Sequence, residues 1–259
     1  MNVFVEKLKS TVRLATPSPL RRVARDYLSR RWDAKYEGRP VGEVFSAIYE
    51  EGKWSTERHG DFSSGTGSHN PCVVLPYVHA VGRFLESLPY RPSVVDLGCG
   101  DFNVGKQLRS YCGQYVACDV VLTLIRRNKA KFAGMEVDFR CIDIIEDDLP
   151  EGDVVFLRQV LQHLSNAQIL KVVRKLYHYK FLVLTEHVPP NPAFTPNRDK
   201  TTGGRIRLPQ GSGVVLTEPP FLLRVRSESV ICTIDQSVAQ YPGLIRTTMY
   251  ELEVSQRCA

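Results

Sequence analysis

Three acidic residues stand at the ends of short apolar segments in the middle of the chain. Asp96 and Asp119 lie at the ends of segments 93–97 and 115–119, and Asp143 directly follows segment 136–142. Parallel strands present their carboxyl ends along one edge of an open sheet, where such sheets bind ligands. Carboxylates there can accept hydrogen bonds from ribose hydroxyls or an adenine amino group, and Ile144 can contact the ring. The pattern predicts a site for a nucleoside ligand.

A Gly-x-Gly turn, Gly98-Cys99-Gly100, directly follows the first of these segments. Glycines there let the backbone turn tightly and approach a ligand closely. A dinucleotide fingerprint needs a third glycine where Asn103 stands, and a phosphate-binding P-loop needs Ser or Thr where Gln107 follows Gly105-Lys106. The turn therefore favours another nucleoside ligand.

The elements that position these residues alternate between strand-like and helix-like segments. This alternation predicts βαβ units, a parallel sheet and right-handed crossovers, with Asn166 as an N-cap. A long polar segment, 188–220, precedes two further β-rich segments that can close the sheet as an antiparallel pair. The predicted strands are 93–97, 115–119, 136–142, 153–157, 181–185, 228–234 and 246–254, and the predicted helices are 40–52, 73–88, 104–112, 121–132 and 166–178.

Charge is unevenly distributed along the 259 residues. Residues 1–35 carry nine Lys or Arg and three acids. The net charge of this segment is therefore +6, which equals the net charge of the whole chain. The neutral remainder argues against a nucleic-acid partner. The basic segment suits contact with an anionic membrane surface or an acidic partner, or is simply a solvated extension.

Composition is that of a globular protein with reduced thiols. Seven cysteines form no CxxC pair, no zinc-like Cys/His spacing occurs, and no secretory signal pattern is visible. No apolar run approaches the roughly 20 residues that span a bilayer. These features predict a cytoplasmic protein.

Residues 93–163 resemble the class I S-adenosylmethionine-dependent methyltransferases. Asp96-Leu97-Gly98-Cys99-Gly100 matches their first motif, Asp119 their ribose-binding acid and Asp143 their adenine-contacting acid. The resemblance implies S-adenosylmethionine as cofactor. It also implies a Rossmann-like, seven-stranded α/β sheet with helices on both faces and a C-terminal antiparallel β-hairpin. Phe102 stands where many members have glycine, which predicts a different approach to the methionine end.

The segment before the sheet is similar to that of bacterial methyltransferases that modify sugars and polysaccharides. The similarity rests on 45–50, Trp54, 64–68, 101–103 and 161–165. It implies O-methylation of a saccharide or a related small metabolite. Residues 1–39 are then a basic arm and 40–259 the methyltransferase domain, with 40–80 as an N-terminal cap and 188–220 as a substrate-side loop.

Candidate site residues follow from these placements. A sugar hydroxyl needs a general base, for which His163 comes first and His187 second, with Asp199 on the 188–220 loop as a third candidate. A divalent metal held by Asp199 with Glu186 or His163 is an alternative, but the spacing is not diagnostic, and no metal site is assigned. The predicted cofactor contacts are Ser64, Gly65, Thr66, Asp96, Gly98, Gly100, Asp119, Asp143, Ile144 and Gln159.

Two other functions stay open at this point. One is a methyltransferase that acts on RNA or protein, although no Asn-Pro-Pro-Tyr/Phe signature follows the fourth strand, where Leu157-Arg158-Gln159-Val160 stands. The other is a non-catalytic, cofactor-binding adaptor that docks through the basic arm.

Overall fold

A computed structural model of the protein describes residues 34–54, 62–236 and 242–253. Nearly all of the predicted basic arm lies outside these ranges. The core is one seven-stranded sheet with strand order β3-β2-β1-β4-β5-β7-β6. Its strands are β1 (Val94–Leu97), β2 (Tyr115–Asp119), β3 (Asp138–Cys141), β4 (Val154–Arg158), β5 (Phe181–Val188), β6 (Val225–Asp235) and β7 (Leu244–Leu252).

The first five strands are parallel, and β7 runs antiparallel to both β5 and β6. This topology confirms the predicted Rossmann-like sheet and its C-terminal hairpin. Strands β1 and β4 are adjacent although 57 residues separate Leu97 from Val154. The order therefore changes direction beside β1, which is where an open α/β sheet forms a ligand crevice.

Helices cover both faces of the sheet because its central strands are apolar on both sides. Val95 packs with residues of the helix at 166–175 in one buried cluster, and Val94 packs with residues of the helix at 71–87 in another. The helices are α1 (Val41–Glu50), α2 (Thr66–His69), α3 (Pro71–Ser87), α4 (Gly105–Leu108), α5 (Leu122–Lys131) and α6 (Asn166–Lys175), and short 3-10 turns cover Arg109–Tyr111, Ala133–Met135, Leu161–His163, Leu176–His178 and Leu208–Gln210. No helix in the described ranges is both long and apolar enough to cross a membrane.

The start of α6 differs from the prediction that Asn166 caps it. Ser165 is the N-cap, and its side chain accepts a hydrogen bond from the Gln168 backbone N–H while Gln168 Oε1 accepts one from Ser165 N. This reciprocal capping box satisfies two backbone donors at the helix start. Asn166 instead donates through Nδ2 to the Asn197 carbonyl, which ties α6 to the 188–220 segment.

Strand β5 is three residues longer than the predicted 181–185. Its pairing with β7 continues to Val188 opposite Leu244, so Glu186 and His187 lie within the strand rather than after it. Local sequence could not reveal this extension, because the partner strand lies about 60 residues further along the chain. The backbone of His187 is therefore held by pairing with β7, opposite Ile245.

Candidate active site

A cavity of about 560 Å³ lies over the carboxyl ends of β1, β2 and β4. Its wall includes every predicted cofactor contact, namely Ser64, Gly65, Thr66, Asp96, Gly98, Gly100, Asp119, Asp143, Ile144 and Gln159. Helix α1 and the following segment contribute aromatic side chains, and the 188–220 segment contributes residues 204–206 and Pro209. The structure thus brings one continuous set of predicted residues together.

The glycine turn leaves no room for side chains. Gly98 and Gly100 have φ of 80° and 56°. A Cβ on Gly98 would lie 2.4 Å from Val160 Cγ2, and one on Gly100 would lie 2.2 Å from Ser64 Oγ. Glycine is therefore required for both conformation and space, and the turn presents bare backbone to the cavity.

Phe102 adopts a glycine-like conformation without entering the cavity. Its φ is 62°, and its fully buried ring packs edge-on against Tyr115, Phe132 and Phe139 at centroid distances of 5.6, 5.2 and 4.9 Å. The expectation that its bulk alters the cofactor approach is not supported, because the ring points into the core. Aromatic packing compensates for a backbone conformation that disfavours side chains.

Asp119 and Asp96 are buried carboxyl groups on the cavity wall. Asp119 accepts hydrogen bonds from the backbone N–H groups of Gly100 and Val121, each at 3.0 Å. Asp96 accepts a hydrogen bond from the Tyr115 hydroxyl at 2.9 Å. Burial raises the pKa of each carboxyl to about 6, because the charged form loses its water. Both groups gain from any ligand that donates hydrogen bonds to them.

Asp143 and Ile144 form the third strand-end contact. Asp143 is half-buried, and its Oδ1 accepts a hydrogen bond from Ile145 N at 2.8 Å, which holds the turn after β3. Ile144 is buried beside it. An acid and an apolar side chain are thus presented together at this end of the cavity.

The segment 62–70, called the cap segment below, is held to the glycine turn through Asp101. Asp101 Oδ2 accepts hydrogen bonds from Ser64 N at 2.9 Å and from His69 Nε2 at 2.5 Å. In return, Asp101 N donates to Ser64 Oγ at 2.8 Å, and Ser64 Oγ also contacts the Tyr49 hydroxyl at 3.1 Å. Sequence reasoning missed Asp101, although an acid directly after the second glycine was available as a signal.

Arg158 and Gln159, at the end of β4, meet the same cap segment. Arg158 donates through Nη2 to the Gly67 carbonyl at 2.5 Å and lies 4.9 Å from the centre of the Tyr77 ring. A Cβ on Gly67 would lie 2.3 Å from Gln159 Oε1. Arg158 Nε and Gln159 Nε2 are buried donors that have no hydrogen-bond partner in the described part of the chain. Burial lowers the pKa of the Arg158 guanidinium.

His163 and His187 both line the cavity. The His163 ring packs 5.2 Å from Trp54 and 6.3 Å from Phe45. Burial, followed by the charge of Lys200, lowers the pKa of His163 to about 3. Burial, followed by the charge of Arg158, lowers the pKa of His187 to about 4. Both imidazoles are therefore neutral at neutral pH.

Asp199, the third catalytic candidate, is not among the residues that line the cavity. It is exposed, and its Oδ1 accepts hydrogen bonds from Asn166 N and Lys200 N, each at 2.8 Å. Glu186, its suggested metal-binding partner, directs its two oxygens at Leu161 N and Gln162 N. Among the described residues, no three His, Cys, Asp or Glu side chains cluster as a metal site.

Residues 94–179 match the protein family described as "Methyltransferase domain". The matched segment includes the glycine turn, Asp96, Asp119, Asp143 and His163, whereas α1, the cap segment and β5–β7 lie outside it. No curated protein matches the chain significantly.

Solved structures of similar fold include three methyltransferases. Human N-acetylserotonin methyltransferase in complex with S-adenosylmethionine has a TM-score of 0.50 and 20% identity, covering 85% of this chain and 62% of that one. N-methyltransferase NodS from Bradyrhizobium japonicum WM9, in complex with S-adenosylhomocysteine, has a TM-score of 0.56, 12% identity and coverages of 79% and 98%. Magnesium protoporphyrin IX methyltransferase from Synechocystis, with bound S-adenosylmethionine, has a TM-score of 0.50, 12% identity and coverages of 83% and 99%. This chain thus spans less than two thirds of the human enzyme, and at these identities the likeness concerns the fold.

Proposed function

We propose that the protein transfers a methyl group from S-adenosylmethionine to a hydroxyl group of a sugar, glycan or related small metabolite. The observation that carries the cofactor assignment is the buried carboxylate of Asp119 beside the bare Gly98–Gly100 backbone, in one cavity within a methyltransferase fold. The acceptor class is supported by similarity to sugar-modifying methyltransferases at 45–50, Trp54, 64–68, 101–103 and 161–165.

The cavity residues fit S-adenosylmethionine. Asp119 would accept hydrogen bonds from the ribose hydroxyls, and Asp143 with Ile144 would bind the adenine. The methionine end has a carboxylate, and Arg158 Nε and Gln159 Nε2 are buried donors left without a partner in the described residues. A buried donor without a partner destabilises the fold, so a ligand carboxylate that accepts hydrogen bonds from these two donors would be stabilised there. Ser64, Gly65 and Thr66 lie on the same wall.

The chemistry requires positioning and a proton acceptor. When bound, S-adenosylmethionine supplies an electron-poor methyl carbon on a sulfonium for in-line displacement. The residues of this chain hold the acceptor oxygen at roughly 3 Å from that carbon and exclude water. Phe45 and Trp54 pack on His163 and enclose this side of the cavity. The two neutral histidines offer lone pairs for a hydroxyl proton.

The proposal is tested by transfer from methyl-labelled S-adenosylmethionine to a panel of glycosides, with matching amino sugars as nitrogen acceptors. A labelled methyl ether, identified by mass spectrometry, is the expected product. Label on the amino sugars alone would contradict the hydroxyl assignment. A folded protein that binds no S-adenosylhomocysteine would contradict the cofactor assignment.

The basic segment 1–35 is proposed to recruit the protein to an anionic membrane surface or an acidic partner. A chain that starts at residue 36 should then retain turnover of small glycosides but lose binding to anionic vesicles. Loss of turnover only on RNA or protein acceptors would instead favour an enzyme that acts on macromolecules.

A further inference from the structure

The side-chain amide of Gln162 lies between the two cavity histidines. Gln162 is buried within the 3-10 turn Leu161–His163. Its Oε1 is 2.9 Å from His187 Nδ1 and 3.4 Å from His187 N. Its Nε2 is 3.3 Å from the Gln159 carbonyl oxygen and 3.4 Å from His163 Nε2. One amide therefore contacts both imidazoles, through different atoms.

Two backbone groups determine which way this amide faces. The His187 backbone N–H can only donate, so the atom beside it must be the amide oxygen. The Gln159 carbonyl can only accept, so the atom beside it must be the amide nitrogen. A flipped amide would oppose donor to donor and acceptor to acceptor at two buried sites, which is unfavourable.

The orientation of the amide determines the tautomer of His187. His187 Nδ1 faces an acceptor and must carry its ring proton, which leaves the lone pair on Nε2. No described residue is hydrogen-bonded to Nε2 of His187, which lines the cavity. In His163, by contrast, Nε2 lies 3.4 Å from Gln162 Nε2, and Nδ1 is a buried atom with no hydrogen-bond partner among the described residues.

We infer that Gln162 is a positioning residue that makes Nε2 of His187 the proton acceptor of the reaction. The inference rests on the proposed function and reverses the order of candidates drawn from the sequence. In the step, the acceptor O–H bond breaks and its proton passes to His187 Nε2. An oxygen–carbon bond forms, and sulfur keeps the electron pair of the broken sulfur–carbon bond.

Several charged groups surround this pair. The charge of Arg158 lowers the pKa of His187, and the charges of Lys200 and His187 lower the pKa of His163. The Glu186 carboxylate accepts from the backbone of Leu161 and Gln162, so it holds the Gln162 turn in place beside β5. An imidazolium formed on His187 would keep its Nδ1–H bond to Gln162, while the charge of Arg158 would favour its return to neutrality.

The tautomers can be observed without cofactor or acceptor. Two-bond nitrogen–proton NMR spectra of the full chain with labelled histidines, at neutral pH, should show His187 protonated on Nδ1 and bare on Nε2. In Gln162→Leu, His187 should shift toward the Nε2–H form that neutral imidazole favours in water. In Gln162→Glu, a carboxylate oxygen still accepts from Nδ1, so the tautomer should be kept and the pKa of His187 should rise.

Kinetics with an acceptor from the transfer assay provide the second arm. Gln162→Leu should lower kcat by about 10²-fold or more with little change in KM, as expected when a general base is misplaced. Gln162→Glu should retain more activity and move the acidic limb of the pH–rate profile upward. Gln114→Leu, which changes an exposed glutamine, is the matched control.

Two results would overturn the inference: a wild-type His187 protonated on Nε2, or a folded Gln162→Leu protein whose His187 tautomer is unchanged. Gln162→Glu provides the same test if Gln162→Leu does not fold, because loss of the Nδ1–H form there also contradicts the inference. Failure to bind S-adenosylhomocysteine would contradict the proposed function separately, because the NMR experiment uses neither cofactor nor acceptor.

Discussion

Ser64 and Asp101 are joined by two reciprocal hydrogen bonds that fasten the cap segment to the glycine turn. Ser64 N donates to Asp101 Oδ2 at 2.9 Å, and Asp101 N donates to Ser64 Oγ at 2.8 Å. Gly100 lies so close that a Cβ there would overlap Ser64 Oγ. The wall that would face the cofactor is therefore assembled from two segments that are 37 residues apart.

Replacement of Ser64 tests whether this fastening shapes the cavity. Ser64→Ala leaves Asp101 N and the Tyr49 hydroxyl without their shared partner, which costs about 1–3 kcal/mol when such groups stay buried. We expect weaker binding of S-adenosylhomocysteine and faster hydrogen exchange of amides 62–70. Ser110→Ala, at an exposed serine, should change neither. Equal exchange in both variants would show that the bond pair does not hold the cap.

Phe102 tests how aromatic packing sustains a left-handed backbone. Phe102→Ala removes the ring from a fully buried aromatic cluster, which typically costs about 3–5 kcal/mol. Phe102→Gly loses the same ring, but glycine adopts a φ of 62° without strain. In urea unfolding we therefore expect the glycine variant to be about 1 kcal/mol more stable than the alanine variant.

The reverse order of stability would mean that the backbone at Phe102 is not strained. Because the ring points into the core, S-adenosylhomocysteine affinity of the folded glycine variant should stay close to that of the wild type. A large loss of affinity would restore a role for Phe102 at the methionine end of the cofactor.

The pKa values of the cavity carboxyls predict how cofactor binding depends on pH. Burial raises the pKa of Asp119 and of Asp96 to about 6, from 3.8. A carboxyl whose pKa is raised by folding stabilises the unliganded fold at low pH, and that contribution is lost as the pH rises through about 6. Ligand hydroxyl and amino donors favour the ionised form, so binding should expel protons near this pH.

Calorimetry in buffers of different ionisation enthalpy measures those protons. We expect S-adenosylhomocysteine affinity to rise between pH 5 and pH 7, with proton release near pH 6, as follows from the raised pKa of Asp119 at about 6. Asp119→Asn should release fewer protons than the wild type. An affinity that falls as the pH rises over this range would contradict the assignment of these carboxyls.

The strand-end acids could be predicted because a buried parallel strand has a recognisable local sequence pattern. Apolar residues on both faces are followed by a polar residue and a turn. Asp96, Asp119 and Asp143 all lie where that pattern places them. The parallel sheet also followed from the alternation of elements, whereas its seven strands were implied by the resemblance to class I methyltransferases.

Long-range contacts could not be predicted in the same way. His187 lies inside β5 because β7 extends the pairing from about 60 residues away. Asp199 lies outside the cavity because it caps groups at Asn166 and Lys200. Gln162 acquires its position only when the turn after β4 meets β5. Each of these placements depends on a partner that local spacing does not specify.

The most direct test of the account is calorimetric titration of S-adenosylhomocysteine into the wild type, Asp119→Ala and Asp148→Ala. Asp148 is an exposed acid outside the cavity and controls for loss of a carboxylate. We expect saturable binding to the wild type and Asp148→Ala, and affinity at least tenfold weaker for Asp119→Ala, in line with a charged hydrogen-bond contribution of about 1.5–3 kcal/mol. Thermal unfolding confirms that each variant is folded. No binding by the folded wild type, or undiminished affinity in Asp119→Ala, would contradict the account.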